Sequence, residues 1–306
     1  MKPAESIQTT PAAPVGPATA EKPRAKYSPL AAFWDTYRSS SYGLAGLVLL
    51  GVIVLAAVAA PILAPYDPSK LGDQMLGAPS LSHLMGTDGM GRDILSEVIF
   101  GTRISLMVGF TSAIISAFIG TIVGAVSGFF GGLADEVISK VIDVFLLMPT
   151  FFLILIIVAM FGNSLLYIML VIGLTTWPGN ARLMRAQALT LRERTFTQAA
   201  RAIGEGNLAI IFKYIVPNGI YPIIANTTLR MAGAILTEAS LSFLGLGDPN
   251  VVSWGKMIFE GRTYITSAWW AAFFPGLAIV VTVMAFYFIG DGLNFALDPK
   301  VRRDAR

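Results

Sequence analysis

The sequence contains no cysteine and only one histidine, His83. The absence of cysteine excludes disulfide scaffolds, zinc ribbons, iron–sulfur clusters and thiol catalysis. One histidine provides no cluster for a metal, so this chain is expected to bind no metal or other cofactor itself. Charge is scarce as well, since charged residues form 13% of 306 residues, against about 25% in ordinary soluble domains. With 55% hydrophobic residues and a mean hydropathy of +0.67, the composition indicates an integral membrane protein.

Six apolar segments approach or exceed the length of about 20 residues that a helix needs to cross a bilayer. They cover residues 43–64, 104–130, 141–161, 165–181, 214–246 and 269–289. The sequence therefore predicts an all-α fold with six transmembrane helices. Residues 29–40 contain Phe33, Trp34 and Tyr37, and these aromatics predict an interfacial helix before the first span.

The distribution of basic residues predicts the orientation of the chain. Of the 22 Lys and Arg, 16 fall in the segments that are cytoplasmic if the N-terminus is inside, and four fall in the two outside loops. Because basic residues accumulate on the cytoplasmic side, both termini are expected in the cytoplasm. The formal net charge is +3, but the basic residues form no patch with interleaved aromatics, so no nucleic acid partner is expected.

This topology divides the chain into five parts. The first part is rich in proline and alanine and is expected to be a disordered cytoplasmic tail, because it cannot bury a core. The parts are the tail 1–28, an interfacial segment with the first span 29–64, an extracytoplasmic loop 65–103, a core 104–297 with five spans and a cytoplasmic loop 182–213, and a cytoplasmic tail 298–306.

Three glycines, Gly120, Gly124 and Gly128, recur every four residues in the second span. This spacing places them on one face of a helix, where the missing side chains let another backbone approach closely. The approaching helix belongs either to this chain or to a second membrane subunit, and the sequence leaves both interpretations open.

Two charged residues, Arg230 and Glu238, lie inside the fifth span. Charges within a membrane are costly and usually face a protein interior or water. The two residues are about 12 Å apart along a helix, which is too far for a direct ion pair. We expect each to face the same cavity in a translocation pathway; the alternatives are pairing with another subunit and, for Arg230, snorkelling towards the interface.

The cytoplasmic loop 182–213 is too long to be a simple connection between two spans. Thr197 is a plausible N-cap for a helix that begins at Gln198. Gly204 can end that helix, and Asn207 can cap a second one that runs to Pro217. Two short helices would form a rigid element that projects from the membrane; the alternative is a basic helix that lies on anionic headgroups.

The loop also carries a family motif. Gln198-Ala199-Ala200, followed by Gly204 and then by Ile215-Val216-Pro217, resembles the EAA loop of permease subunits in ATP-binding-cassette importers. The resemblance implies that the short helix docks into a cleft on an ATPase subunit, with Gln198, Ala199, Ala200, Arg201 and Gly204 as the coupling residues. The alanines offer a small surface that a cleft can enclose.

Further segments carry family signatures and run in order from about residue 30 to residue 303. They are His83–Asp93, Gly101–Leu106, Ser242–Gly247, Ser253-Trp254-Gly255, Trp269-Trp270 with Phe274-Pro275-Gly276, and Gly290–Leu293 through Leu297-Asp298-Pro299. Together these segments resemble the permease C type subunit of the dipeptide, oligopeptide and nickel importers.

The resemblance implies a type I importer permease fold in the bacterial inner membrane and a machine of five subunits. Its partners would be a second permease subunit, two ATP-binding subunits and an extracytoplasmic solute-binding protein, with lipid around the spans. The sequence contains no G-x-x-x-x-G-K-[ST] phosphate loop, so this chain is not expected to be an enzyme. ATP and Mg²⁺ would bind the partner subunits.

The function that the resemblance implies is import of short peptides, with this chain forming half of the translocation pathway. A nickel chelate, glutathione or an oligosaccharide are the alternative substrates. An ion-coupled secondary transporter is a further alternative, although such proteins often show internal repeats and none is evident here. An intramembrane enzyme would need paired catalytic groups within the spans, which the sequence lacks.

Overall fold

The computed structural model describes residues 29–297, and the predicted tails 1–28 and 298–306 lie outside these residues. The described chain is helical, and its only β pairing is an isolated bridge between Thr87 and Asp93. In chain order the helices are α1 Pro29–Ser39, α2 Ser41–Val58, α3 Ala60–Leu63, α4 Ile94–Phe130, α5 Gly132–Leu147, α6 Thr150–Phe161, α7 Leu165–Leu191, α8 Thr195–Ala202, α9 Asn207–Ile210, α10 Val216–Phe243, α11 Trp254–Gly261 and α12 Trp270–Leu297.

Four helical stretches in residues 29–297 are long and apolar enough to cross a membrane. They are α2, α4, α12 and the rod Asn207–Phe243, in which a π-turn over Ile211–Ile215 joins α9 to α10. The all-α prediction is confirmed, and these four stretches correspond to four of the six predicted spans. We call Asn207–Phe243 the α9–α10 rod.

Within the span predicted over 141–161, the chain bends by 83° between α5 and α6. Met148 has extended backbone, with φ −79° and ψ 134°, directly before Pro149. A residue that precedes proline is disfavoured in the helical conformation, so the helix ends there. If α5 and α6 together make one crossing, the number of spans is five.

The remaining predicted span, residues 165–181, corresponds to the first part of α7. That helix continues to Leu191 and carries Asn180, Arg182 and Arg185 in its second half, so only its first half is strongly apolar. The count of six transmembrane helices therefore stays a prediction.

Several helices begin where a polar side chain caps the first turn. The Asp93 carboxylate accepts a hydrogen bond from the Ser96 N–H at 2.8 Å, and α4 therefore starts well before the predicted span boundary at residue 104. The predicted helix over 29–40 corresponds to α1, where the buried Tyr37 donates its hydroxyl proton to the carbonyl of Gly43 at 3.0 Å. This bond fixes α1 against the start of α2.

The helices pack as a bundle with two distinct ends. Within it, α4 packs against α7 and the α9–α10 rod, and α12 packs against α2 and the rod. The segment 64–93 and α11 lie at one end, which we call the α11 end, and α8 lies at the opposite end, which we call the α8 end. Two indole N–H groups secure the α11 end, because Trp254 donates to the carbonyl of Val98 at 3.0 Å and Trp270 donates to that of Thr87 at 3.2 Å.

Candidate coupling surface and membrane cavity

α8 begins one residue after Arg194, which occupies the N-cap position. The prediction that Thr197 caps a helix starting at Gln198 is therefore wrong. Thr197 lies within the first turn of α8 and is fully buried, and its hydroxyl donates to the carbonyl of Leu191 at 2.8 Å. The carbonyl of Leu191 also accepts the backbone N–H of Arg194 at 3.2 Å, so the Thr197 hydroxyl adds a second hydrogen bond at the end of α7 and ties α8 to that helix.

One face of α8 is fixed to the bundle. Ala200 is buried in a cluster that includes Phe129 of α4, Ala188 of α7 and Ile211 of the rod. Next to it, the Arg201 guanidinium lies 4.9 Å from the centroid of the Phe129 ring, which is a cation–π distance. The position of α8 is therefore coupled to three long helices at once.

The opposite face of α8 is exposed and mostly apolar. Ala199 and Ala202 are exposed, Ile203 is 80% exposed, and Leu208 on α9 is 64% exposed. We call these four residues the α8 tip. Gln198 borders the tip, and its side-chain amide donates to the carbonyl of Glu193 at 3.2 Å. A compact apolar projection of this kind can be covered by a cleft on a partner protein.

Gly204 ends α8, as the sequence predicts, and its φ of +83° lies in the left-handed region that glycine adopts without strain. The two other predicted details are wrong. Asn207 is the first residue of α9, and Gly206 occupies the N-cap position. The helix does not end at Pro217, because the π-turn widens the backbone just before this residue and accommodates its missing N–H.

An ion pair joins the turn after α8 to the rod. Lys213 Nζ lies 2.7 Å from Oε1 of Glu205. The hydrogen bond from Lys213 lowers the pKa of Glu205 below its ordinary value. The carboxylate therefore stays charged at neutral pH, and the pair persists there.

The glycine face of α4 lies against α7 of the same chain. A Cβ atom at Gly124 would lie 2.9 Å from both the backbone nitrogen of Arg185 and the Cβ of Met184. A Cβ atom at Gly120 or Gly128 would also lie too close to α7, one turn before and one turn after Gly124. Of the two interpretations that the sequence leaves open, the geometry favours packing within this chain.

A cavity of about 290 Å³ lies between α4, α5, α6, α7 and the rod. Arg230 lines it, half-buried, with its guanidinium close against Gly179. Within residues 29–297 the guanidinium has no hydrogen bond or ion pair. Five hydroxyl side chains also line the cavity, namely Ser112, Thr150, Thr175, Thr176 and Thr237.

Glu238 does not line this cavity, which corrects the expectation that it shares one with Arg230. Its side chain is buried towards α11, where Oε1 accepts hydrogen bonds from Ser242 at 2.7 Å and Ser253 at 2.9 Å. Eight helical residues correspond to a rotation of about 80° beyond two full turns, so the two side chains point in different directions. Glu238 instead links the rod to the N-cap residue of α11.

Sequence reasoning missed a buried polar network at the middle of the bundle. Asn180 of α7 donates to the Ser116 hydroxyl at 3.2 Å, and Asn226 of the rod donates to Asn180 Oδ1 at 2.7 Å. Asparagine in an apolar segment is the signal that points to such a network, because a buried amide needs partners. The network ties α4, α7 and the rod together beside the glycine face.

A second missed group surrounds Arg92 at the α11 end. Its buried guanidinium bonds to Asp88, to Glu97 at 3.2 Å and to Glu260 at 2.5 Å. The first two partners are near in sequence, but Glu260 comes from α11, so no local pattern predicts the complete group. These bonds hold the segment before α4 against α11.

Two protein-family profiles match this chain. The profile described as "Binding-protein-dependent transport system inner membrane component" matches residues 120–303. A second profile, described as "N-terminal TM domain of oligopeptide transport permease C", matches residues 28–81. The first of these matches covers more than half of the 306 residues.

Several similar proteins are named as permeases of peptide transport systems. The chain is 39% identical to the "Di/tripeptide transport system permease protein DppC" of Pseudomonas aeruginosa, over 91% of this chain and 94% of that protein. It is 37% identical to the "Dipeptide transport system permease protein DppC" of Alkalihalophilus pseudofirmus, over 90% and 91%. The "Dipeptide transport system permease protein DppC" of Escherichia coli K12 is 39% identical, over 90% of this chain and 95% of that protein.

Among solved structures, a chain of the inward-facing MetNI methionine ABC transporter has a similar fold. The TM-score is 0.51 at 18% identity, and the match covers 70% of this chain and 98% of that chain. At this identity the match concerns the fold alone. It is consistent with the predicted type I importer permease fold.

A bundle of apolar helices with a membrane cavity and an exposed helical projection at one end defines a membrane-embedded transport subunit. The chain belongs to the family of binding-protein-dependent transport system inner membrane components, as a permease of the dipeptide and oligopeptide branch. It is a multi-pass protein of the bacterial inner membrane, and its relatives are permease subunits rather than enzymes. The family resemblance found in the sequence is confirmed.

Proposed function

We propose that this chain forms half of the translocation pathway of an importer of short peptides, and that ATP hydrolysis on partner subunits drives transport. The names of the similar proteins support dipeptides and tripeptides over a nickel chelate, glutathione or an oligosaccharide. The observation that carries the proposal is the connection between the exposed α8 tip and the helices that line the cavity.

The assembly that we propose contains a second permease subunit, two ATP-binding subunits that hold ATP and Mg²⁺, and an extracytoplasmic solute-binding protein. The α8 end faces the cytoplasm, because most basic residues of the loops lie on its side of the bundle. With α7 as the remaining crossing, the chain has six spans and both termini in the cytoplasm.

The coupling mechanism that we propose is mechanical. The ATPase encloses the α8 tip, and closure of the two ATPase subunits displaces α8. Ala200 and the ion pair between Lys213 and Glu205 transmit this displacement to α4, α7 and the rod, and these three helices line the cavity. The cavity then opens alternately to the two sides, provided that the tip contacts the ATPase differently in the two states.

The test is uptake by the complete transporter in proteoliposomes with ATP inside. Ala202→Arg adds a large charged side chain to the tip while leaving the buried face of α8 unchanged. We expect ATPase subunits to dissociate from this variant in mild detergent and uptake to be lost. Ala134→Arg is the matched control, because Ala134 is also exposed near the α8 end but lies on α5.

Two outcomes would contradict the proposal. One is full uptake by Ala202→Arg, which would exclude the tip as the ATPase contact. The other is peptide uptake by this chain alone in vesicles that lack ATPase subunits, which would indicate a secondary transporter.

A further inference from the structure

The polar side chains that line the cavity include one hydrogen-bond donor and several acceptors. Arg230 is a donor only, with a planar guanidinium that matches a carboxylate in a bidentate arrangement. Its guanidinium has no acceptor among residues 29–297, although an unpaired charge at membrane depth is costly. Among the described residues that line the cavity, Arg230 is therefore a strong cationic donor without a partner.

Four of the five hydroxyl groups that line the cavity are hydrogen-bond acceptors rather than donors towards a ligand. Thr176 donates its proton to the carbonyl of Ile172 at 2.7 Å, and Thr237 donates to that of Gly233 at 2.8 Å. Thr175 donates to the carbonyl of Val171 at 2.7 Å, and Ser112 donates to that of Met169 at 3.0 Å. A hydroxyl whose proton is committed to a backbone carbonyl retains only its oxygen lone pairs for a ligand. These four groups can therefore act as acceptors.

This arrangement complements the polar groups of a short peptide. A peptide has one carboxylate, which needs donors, and amide and ammonium N–H groups, which need acceptors. Glu238 faces α11 rather than the cavity, so no carboxylate of the described residues competes for Arg230 there. The volume of about 290 Å³ lies near the lower limit of ligand pockets, about 300–1,000 Å³, and favours a small ligand.

We propose that Arg230 binds the C-terminal carboxylate of the transported peptide, while the hydroxyl oxygens of Thr176 and Thr237 accept its N–H groups, so that the cavity selects peptides with a free carboxyl end. This inference rests on the proposed import of peptides and deepens it. Arg230 thereby adds a selection step within the membrane to the one made by the binding protein.

The experiment compares dialanine with its C-terminal amide. The complete transporter is reconstituted in proteoliposomes, and the binding protein is loaded with each peptide to the same concentration. Uptake of the two peptides is measured for the wild type, Arg230→Gln, Arg230→Lys and the control Arg182→Gln. The control removes an arginine that is exposed and paired with Asp143 at 2.7 Å, outside the cavity. The readout is the ratio of acid uptake to amide uptake, in which the contribution of the binding protein cancels between variants.

We expect Arg230→Gln to lower this ratio about ten-fold, as the loss of a hydrogen-bonded charge pair implies. Arg230→Lys should lower it less, because lysine keeps the charge but not the planar fork, and Arg182→Gln should leave it unchanged. If Arg230→Gln does not assemble, the ratio for Arg230→Lys decides. Reduced uptake for both peptides at an unchanged ratio would overturn the inference and would indicate that Arg230 pairs with the second permease subunit.

The same experiment separates this inference from the proposed function. If the wild type takes up dialanine but the ratio does not depend on Arg230, peptide import stands and the carboxylate site is wrong. If the wild-type transporter takes up neither peptide from a loaded binding protein, the proposed function itself fails.

Discussion

Lys213 Nζ lies 2.7 Å from Oε1 of Glu205, and this ion pair joins the turn after α8 to the π-turn of the α9–α10 rod. The pair, the buried Ala200 and the contact between the Phe196 and Tyr214 rings, whose centroids are 6.5 Å apart, all hold α8 and the turn after it against the rod. The pair is exposed on the lysine side, so its contribution to folding is small. We expect the pair to affect instead how far a movement of α8 is transmitted to the rod.

We therefore predict that Glu205→Gln uncouples ATP hydrolysis from transport. The amide cannot hold Lys213 as an ion pair, so α8 can move without moving the rod to the same extent. Peptide uptake per ATP hydrolysed should fall a few-fold, while binding of the ATPase subunits is retained. Glu136→Gln is the matched control, because it removes an equally short pair with Lys140 on α5. An unchanged ratio of uptake to hydrolysis would show that the other contacts between α8 and the rod are sufficient.

A second prediction concerns the glycine face of α4. Gly124→Leu places a side chain where even a Cβ would be too close to the backbone of α7. Overpacking of this kind costs about 1–3 kcal/mol, occasionally more, and should lower the Tm of the isolated subunit in detergent.

Gly51→Ala is the control for this substitution, because Gly51 also lies in a helix but has nothing within 4 Å of its added Cβ. It should keep the Tm of the wild type. If Gly124→Leu keeps the Tm of the isolated subunit but prevents assembly with the second permease, the glycine face is a contact between subunits rather than within this chain.

The third prediction concerns the position of the Arg230 guanidinium. Gly179→Ala adds a methyl group where the guanidinium now lies, so the end of this flexible side chain must move. The total charge is unchanged, and alanine is favourable within a helix. We expect normal expression and assembly but a changed KM for peptide uptake. Gly276→Ala on α12, which has open space around it, should change neither quantity.

The fourth prediction concerns Arg92. Arg92→Gln removes the cation that three carboxylates surround and leaves uncompensated buried charge. Removing one partner of a buried ion pair costs about 3–5 kcal/mol, so the Tm should fall clearly. Arg262→Gln is a control at the same end, since this arginine is exposed and stacks on Phe243 and Phe259. Equal Tm values for both variants would contradict a stabilising role for the Arg92 group.

The sequence allowed the apolar helices and the turn at Gly204 to be predicted, because hydropathy and the left-handed preference of glycine are local properties. The break at Pro149 is also local, but an apolar run across residues 141–161 has the composition of one span. Thr197 is of a residue type that favours a helix cap, which is why the sequence predicts one there. The Leu191 carbonyl that accepts its hydroxyl proton belongs to the preceding helix, and the sequence does not show the distance between them.

The sequence likewise predicts the candidate site only in part. Arg230 and Glu238 stand out in an apolar span, and their presence in a membrane predicts buried surroundings. The direction of each side chain depends on which helices pack around the rod, and a rotation of about 80° separates them. Asn180 likewise signals a polar contact, but its partners come from α4 and the rod, which only the packed bundle brings together.

The π-turn keeps the backbone helical through Pro217, so that Asn207–Phe243 forms one continuous stretch of 37 residues, about 55 Å long at 1.5 Å per residue. Its far end is fastened to the N-cap of α11 through Glu238 and Ser253. If this stretch moves as one body, a tilt of a few degrees at Leu208 shifts its opposite end by several ångströms, so that the helix which carries Arg230 also repositions α11 at the α11 end of the bundle.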